Sequence, residues 1–120
     1  MARVLIAEDD DSIRNFLARA LERAGHSVEA VDNGMDALPH VASRDFDLLL
    51  SDIVRPDMDG LTLAKRTASL SPETRVVFIT GFAAVALSNG EAEEAGASRV
   101  LSKPFHLKDV VAAVNDLCAA

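Results

Sequence analysis

Short apolar runs alternate along this chain with longer stretches in which apolar residues recur every three or four positions. Residues 4–7 form the first run, a buried strand by length and content. A helix is predicted over about 12–24. Ile13, Phe16, Leu17, Ala20, Leu21 and Ala24 share one face of it, and Arg14, Arg19, Glu22 and Arg23 take the other. Asp10 or Asp11 is placed to cap its first turn, and Gly25 to follow its end. Residues 26–31 read as the second strand, closed by the turn signal Asp32-Asn33-Gly34. The next helix, about 35–43, contains Pro39, which costs a helix interior about 3 kcal/mol or more, so a short, kinked or shifted helix is expected.

Residues 46–51 form the third strand, 61–70 a weakly amphipathic third helix ended by Ser71-Pro72, and 75–79 a fourth strand ending at Thr80. Between 81 and 97 the pattern is irregular, and Ser88-Asn89-Gly90 predicts a broken or mobile helix there. Residues 99–101 are a fifth strand, Ser102-Lys103-Pro104 its exit loop, and 107–117 the last helix. The order βαβαβαβαβα points to an α/β fold, a parallel sheet with helices on both faces. Right-handed crossovers leave such a chain little topological freedom.

Composition narrows the function more than the fold. At 120 residues, 49% of them apolar, the chain is read as one ordered domain over 1–120 with no output domain. No apolar run is long enough to span a bilayer. A start that enters a strand directly predicts a cytoplasmic protein without a cleaved leader, so no membrane partner is expected. A net charge of −7, with no basic run and no Tyr or Trp, argues against DNA and other nucleic acids. The single cysteine, Cys118, cannot form an internal disulfide.

In an open parallel sheet, ligands bind outside the carboxyl ends of the strands. Those ends carry Glu8 and Asp9, then Asp52, then Thr80, then Lys103. Carboxylates brought together repel one another unless a cation joins them, and hard oxygen ligands without His or thiolate suit Mg²⁺. The arrangement makes Asp52 a carboxylate nucleophile for phosphoryl transfer, with metal and lysine stabilising the developing charge. Asp10, Asp11, Asp57 and Asp59 read as capping and turn residues; His26, His40 and His106 are scattered and read as playing no metal-binding or catalytic part.

With those residues in place the chain resembles a response-regulator receiver domain over its whole length. The matching residues are Glu8-Asp9, Asp52 followed by Pro56-Asp57-Met58-Asp59-Gly60, Thr80, and Lys103-Pro104-Phe105. The resemblance implies a CheY-like, flavodoxin-like (βα)5 fold: a three-layer αβα sandwich whose five-stranded parallel sheet has the order 2-1-3-4-5. It implies that Asp52 accepts phosphate from a histidine kinase or a histidine phosphotransfer protein. Asp9, Asp52 and the carbonyl of Val54 would hold Mg²⁺, with Glu8 acting through water. Thr80 and Lys103 would bond the phosphoryl group, and the Lys103–Pro104 bond would be cis. The chain would not be an enzyme beyond its own phosphorylation and dephosphorylation.

Two departures stand out. Val100 occupies the position where receivers usually carry the Tyr or Phe that reports phosphorylation, leaving Phe82 or Phe105 to substitute. Val54 and Phe82 cannot orient an attacking water, which predicts a slowly hydrolysed aspartyl phosphate. Residues 78–87 further resemble single-domain receivers that act as phosphorylation-controlled adaptors of the ClpXP protease, with ClpX as partner and a role in cell-cycle progression. A phosphate sink or a diffusible motility-type receiver is the alternative. Leu117-Cys118-Ala119-Ala120 resembles a degron read by ClpX. A phosphohydrolase would want an acid where Val54 stands, and flavin binding would want phosphate donors where the four acids Glu8 to Asp11 stand.

Overall fold

The computed structural model describes residues 2–52, 60–80, 99–102 and 106–118, and within these nothing is read from the side chains of Gly60, Thr80 and Ser102. The strands are β1 (Arg3–Ala7), β2 (Ser27–Val31), β3 (Leu48–Asp52), β4 (Arg75–Thr80) and β5 (Arg99–Ser102). The described helices are α1 (Asp11–Arg23), α2 (Gly34–Ala42), α3 (Gly60–Leu70) and α4 (Leu107–Cys118). All strand pairs are parallel, in the order β2-β1-β3-β4-β5. The α/β class, the sheet order and the layering are those expected. The irregular helix expected between β4 and β5 lies outside the described residues.

Alternation along the strands sends side chains into two separate cores. Leu5, Ala7, Leu49, Val76 and Phe78 pack with Ala37 and Val41 of α2 and Leu63 and Ala64 of α3. Val4, Ile6, Leu48, Leu50, Val77 and Ile79 pack with Leu17 and Leu21 of α1 and Val110 and Val114 of α4. The central strands β1, β3 and β4 are therefore apolar on both faces, as parallel strands under two helix layers must be.

Element ends are set by hydrogen bonds that periodicity does not reveal. Of the two possible caps for α1, Asp10 is the one used: its side chain accepts from the Ile13 N–H at 2.9 Å. At the other end Gly25, at φ 97°, donates to the Glu22 carbonyl and His26 to the Leu21 carbonyl. This paired closure commits the His26 N–H to the helix, so β2 begins at Ser27, one residue later than expected. The third strand begins at Leu48 rather than at residue 46. Phe46 instead packs at the sheet's edge, with the Arg3 guanidinium 5.3 Å from its ring centre and His40 edge-on at 5.9 Å.

α2 starts at Gly34, where Asn33 caps it by accepting from the Asp36 N–H at 2.7 Å and donating back to the Asp36 carboxylate at 2.9 Å. Pro39 lies inside this helix, which is short as expected at 9 residues. Phe16 departs from the predicted apolar face of α1: it is 63% exposed. Leu17 and Leu21 fill the core beneath α1, and Phe16 lies at the border of the stripe. His26 is not idle either. Its Nδ1 accepts from the Ala2 N–H at 3.0 Å and its Nε2 meets the Asn115 Oδ1 at 2.8 Å, bracing α4 against the start of β1.

Candidate functional site

Strand register brings Glu8, Asp52 and Thr80 to one edge of the sheet. Ala7 of β1 lies level with Ser51 of β3, so the next residues, Glu8 and Asp52, stand side by side. Adjacent strands run about 4.8 Å apart. The Glu8 N–H donates to the Val31 carbonyl at 3.1 Å, extending the ladder with β2 one residue past β1. Asp52 is level with Ile79, and Thr80 follows, level with Ser102 of β5. Lys103 is the next residue in the chain.

Glu8 is 3% exposed and Asp52 9%, both far below what a solvated carboxylate shows, whereas Asp9 is exposed. Carboxylates are withdrawn from water only where hydrogen bonds or a cation offset the cost. The Glu8 carboxylate accepts a long bond, 3.4 Å, from the Asp10 N–H. The Ser51 hydroxyl donates to the Asp52 carbonyl at 3.0 Å, which steadies the end of β3. Among the described residues no three His, Cys, Asp or Glu side chains converge as a ready-made cage. The donor set nonetheless fits Mg²⁺, which needs only one or two direct carboxylates and keeps several waters. Val54, Lys103, Gly81, Phe82, Phe105 and the Lys103–Pro104 bond lie outside the described residues, as does the Ala119-Ala120 tail.

Val100, at the position where the receiver resemblance implies an aromatic, is half-buried, level with Phe78 and packed on the core that Phe78 shares with α2 and α3.

One site residue escaped the sequence reading. The charge pattern of α1 puts Arg14 on its solvent face, yet its side chain is only 17% exposed. Its Nη1 donates to the Glu8 carbonyl at 2.8 Å, and its Nη2 to the Asp11 carboxylate. The signal was present in the spacing. Arg14 falls three and seven residues before Leu17 and Leu21, on the stripe that faces the sheet.

The chain is similar to known proteins over nearly its whole length. A family model described as the response regulator receiver domain matches residues 4–115. The chain is 48% identical over 120 residues to the response regulator receiver protein CpdR of Brucella abortus (strain 2308), covering 100% of this chain and 99% of that protein. It is 36% identical over 114 residues to the DNA-binding transcriptional regulator NtrC of Azospirillum brasilense, covering 95% of this chain but only 24% of that protein. Among solved structures, the Vibrio cholerae chemotaxis protein CheY4 aligns with a TM-score of 0.88 at 28% identity, covering 98% of both chains. No described helix is long and apolar enough to cross a membrane.

Proposed function

The chain belongs to the response regulator receiver domain family, and on that premise we propose that it is a stand-alone receiver taking a phosphoryl group onto Asp52 within a His-Asp phosphorelay. The observation that carries this reading is the pair of buried carboxylates, Glu8 and Asp52, side by side at the carboxyl edge of an otherwise apolar sheet. An Asp52 carboxylate oxygen attacks the phosphorus of a phosphohistidine on a kinase or phosphotransfer protein. The new O–P bond forms as the P–N bond breaks, and the imidazole leaves. Asp9, Asp52 and the Val54 carbonyl would hold Mg²⁺, with Glu8 acting through water; the ion would supply positive charge to the phosphoryl oxygens. Thr80 bonds the phosphoryl group and Lys103 pairs with it. Val54 and Phe82 offer no group to orient water, so the acyl phosphate is long-lived.

The output is a change in affinity for a protein partner, because only a ligand that binds the two states unequally can read the switch. Full-length likeness to CpdR supports an adaptor of the ClpXP protease. In this reading the unphosphorylated form engages ClpX and phosphorylation releases it. The test is a ClpX pulldown with untreated protein and with protein treated with Mg²⁺ and beryllofluoride, a mimic of the aspartyl phosphate. Binding by the untreated form and its loss on treatment are expected. No binding in either state, with the Mg²⁺-dependent conformational change intact, would keep the receiver and discard this partner, leaving a phosphate sink or shuttle.

A further inference from the structure

The acidic turn from Glu8 to Asp11 packs four carboxylates into consecutive positions between β1 and α1. Like charges this close push a loop apart, yet the turn has to present the Glu8-Asp9 pair in one orientation. Three of the contacts that hold it matter here. The Glu8 N–H is tied to β2, and the Asp10 side chain is committed to capping α1. The third contact is Arg14. One guanidinium N–H bonds the Glu8 carbonyl at the strand's exit, and another reaches Asp11 at the helix's entry, so the fork closes the turn from both ends.

We propose that Arg14 is a positioning residue for the cation site, acting through the peptide between Glu8 and Asp9. The inference rests on the receiver reading of Glu8, Asp9 and Asp52 given above. A peptide unit is planar, so holding the Glu8 carbonyl also sets the direction of the Asp9 N–H. Glu8 ψ and Asp9 φ lose their freedom together, and the Asp9 side chain leaves the backbone in a fixed direction. Arg14 also places one positive charge against the turn's four negative ones, and it does so from a largely buried position where screening by salt is weak. Its planar fork makes both bonds at once, which the compact ammonium of lysine does not reproduce. Outer-shell groups of this kind typically change metal affinity by about 10–100-fold when removed.

The test is Mg²⁺ binding to the full chain, followed by amide NMR shifts of Asp9 and Asp52 and by calorimetry. Four proteins are compared: wild type, Arg14→Met, Arg14→Lys and Asp11→Asn. Arg14→Met keeps the aliphatic stem and is expected to weaken Mg²⁺ about tenfold. Arg14→Lys restores charge without the fork and should fall between the two. Asp11→Asn removes the helix-side arm's charge and should stay within about twofold of wild type, separating the Glu8 contact from the salt bridge. A purely structural role would lower the unfolding midpoint of Arg14→Met while leaving the Mg²⁺ affinity of its folded fraction unchanged. If Arg14→Met and Arg14→Lys both bind Mg²⁺ as wild type does, the positioning role is wrong and the receiver site stands. If wild type itself binds no Mg²⁺, the site reading fails and the inference goes with it.

Discussion

Asp52 and Glu8 sit where a polar residue contributes least to the fold. A buried carboxylate costs more free energy than an amide of the same shape. Asp52→Asn is therefore expected to abolish phosphate incorporation from acetyl phosphate and to raise stability by about 1 kcal/mol. Phosphoprotein gels and urea unfolding check the two halves; incorporation at the wild-type level would move the acceptor elsewhere. Cys118 gives a second prediction at this scale. Burial pushes its thiol up from the ordinary range and the Asp47 carboxylate adds to this, while Arg75 and the N-terminal amine pull the other way. A thiol raised by folding contributes stability that is complete below the unfolded thiol's pKa and fades as pH rises through the folded value. Iodoacetamide should alkylate Cys118 several-fold more slowly in native protein than in urea at pH 8, since only the thiolate reacts. Equal rates would contradict the raised value. The acidic site was legible because charged residues ending apolar strands stand out against their surroundings. Arg14 was not, because a charged residue on an amphipathic helix reads as solvated unless its place in the stripe is weighed against its charge. His26 was passed over for a similar reason: its partners, Ala2 and Asn115, are distant in sequence and carry no motif.

Helices here owe their limits to single residues at their ends, and those residues are open to test. Asp10 caps α1 just beyond the Glu8-Asp9 pair, so Asp10→Ala should cost about 1 kcal/mol in urea unfolding. A change below about 0.3 kcal/mol would mean that Asp11 takes over the cap. In α2, Pro39 is exposed and has no N–H to return to the Met35 carbonyl. Pro39→Ala should gain about 2 kcal/mol, the removed helix penalty less the conformational entropy that proline denies the unfolded chain. A loss of stability instead would show that the ring packs usefully where it is. At this scale the order and type of the described elements were readable from the sequence, as were ends such as those of α3 at Leu70 and of β4 at Arg75, while the starts of β2 and β3 were not. β2 starts late because the closure of α1 consumes the His26 N–H. β3 starts late because the Asp47 side chain accepts from the Arg3 N–H at 2.8 Å and Phe46 turns to meet Arg3 and His40. Each end depends on a partner distant in sequence or on a turn closure, neither of which hydrophobic spacing encodes.

One sheet serving two cores has a consequence for how the whole molecule comes apart. β3 sends Leu49 to the core under α2 and α3, and Leu48 and Leu50 to the core under α1 and α4. Both cores hang on the same backbone, whose pairings with β1 and β4 continue to the residues beside the site. Loosening either core releases the strand that the other needs. Leu49→Ala and Leu50→Ala should each cost about 2–5 kcal/mol, a large share of the total stability of a domain this size. More tellingly, each should lower protection on both sides of the sheet equally. Amide exchange of Leu21 in α1 and of Val41 in α2, measured in both variants, checks this. Coupled loss would mean that the candidate site is mounted on a single cooperative unit, so that a charge added at Asp52 would be felt by both helix layers. Loss confined to α1 and α4 in Leu50→Ala, with α2 and α3 unaffected, would divide the molecule into two independently melting halves and leave the site at the seam between them.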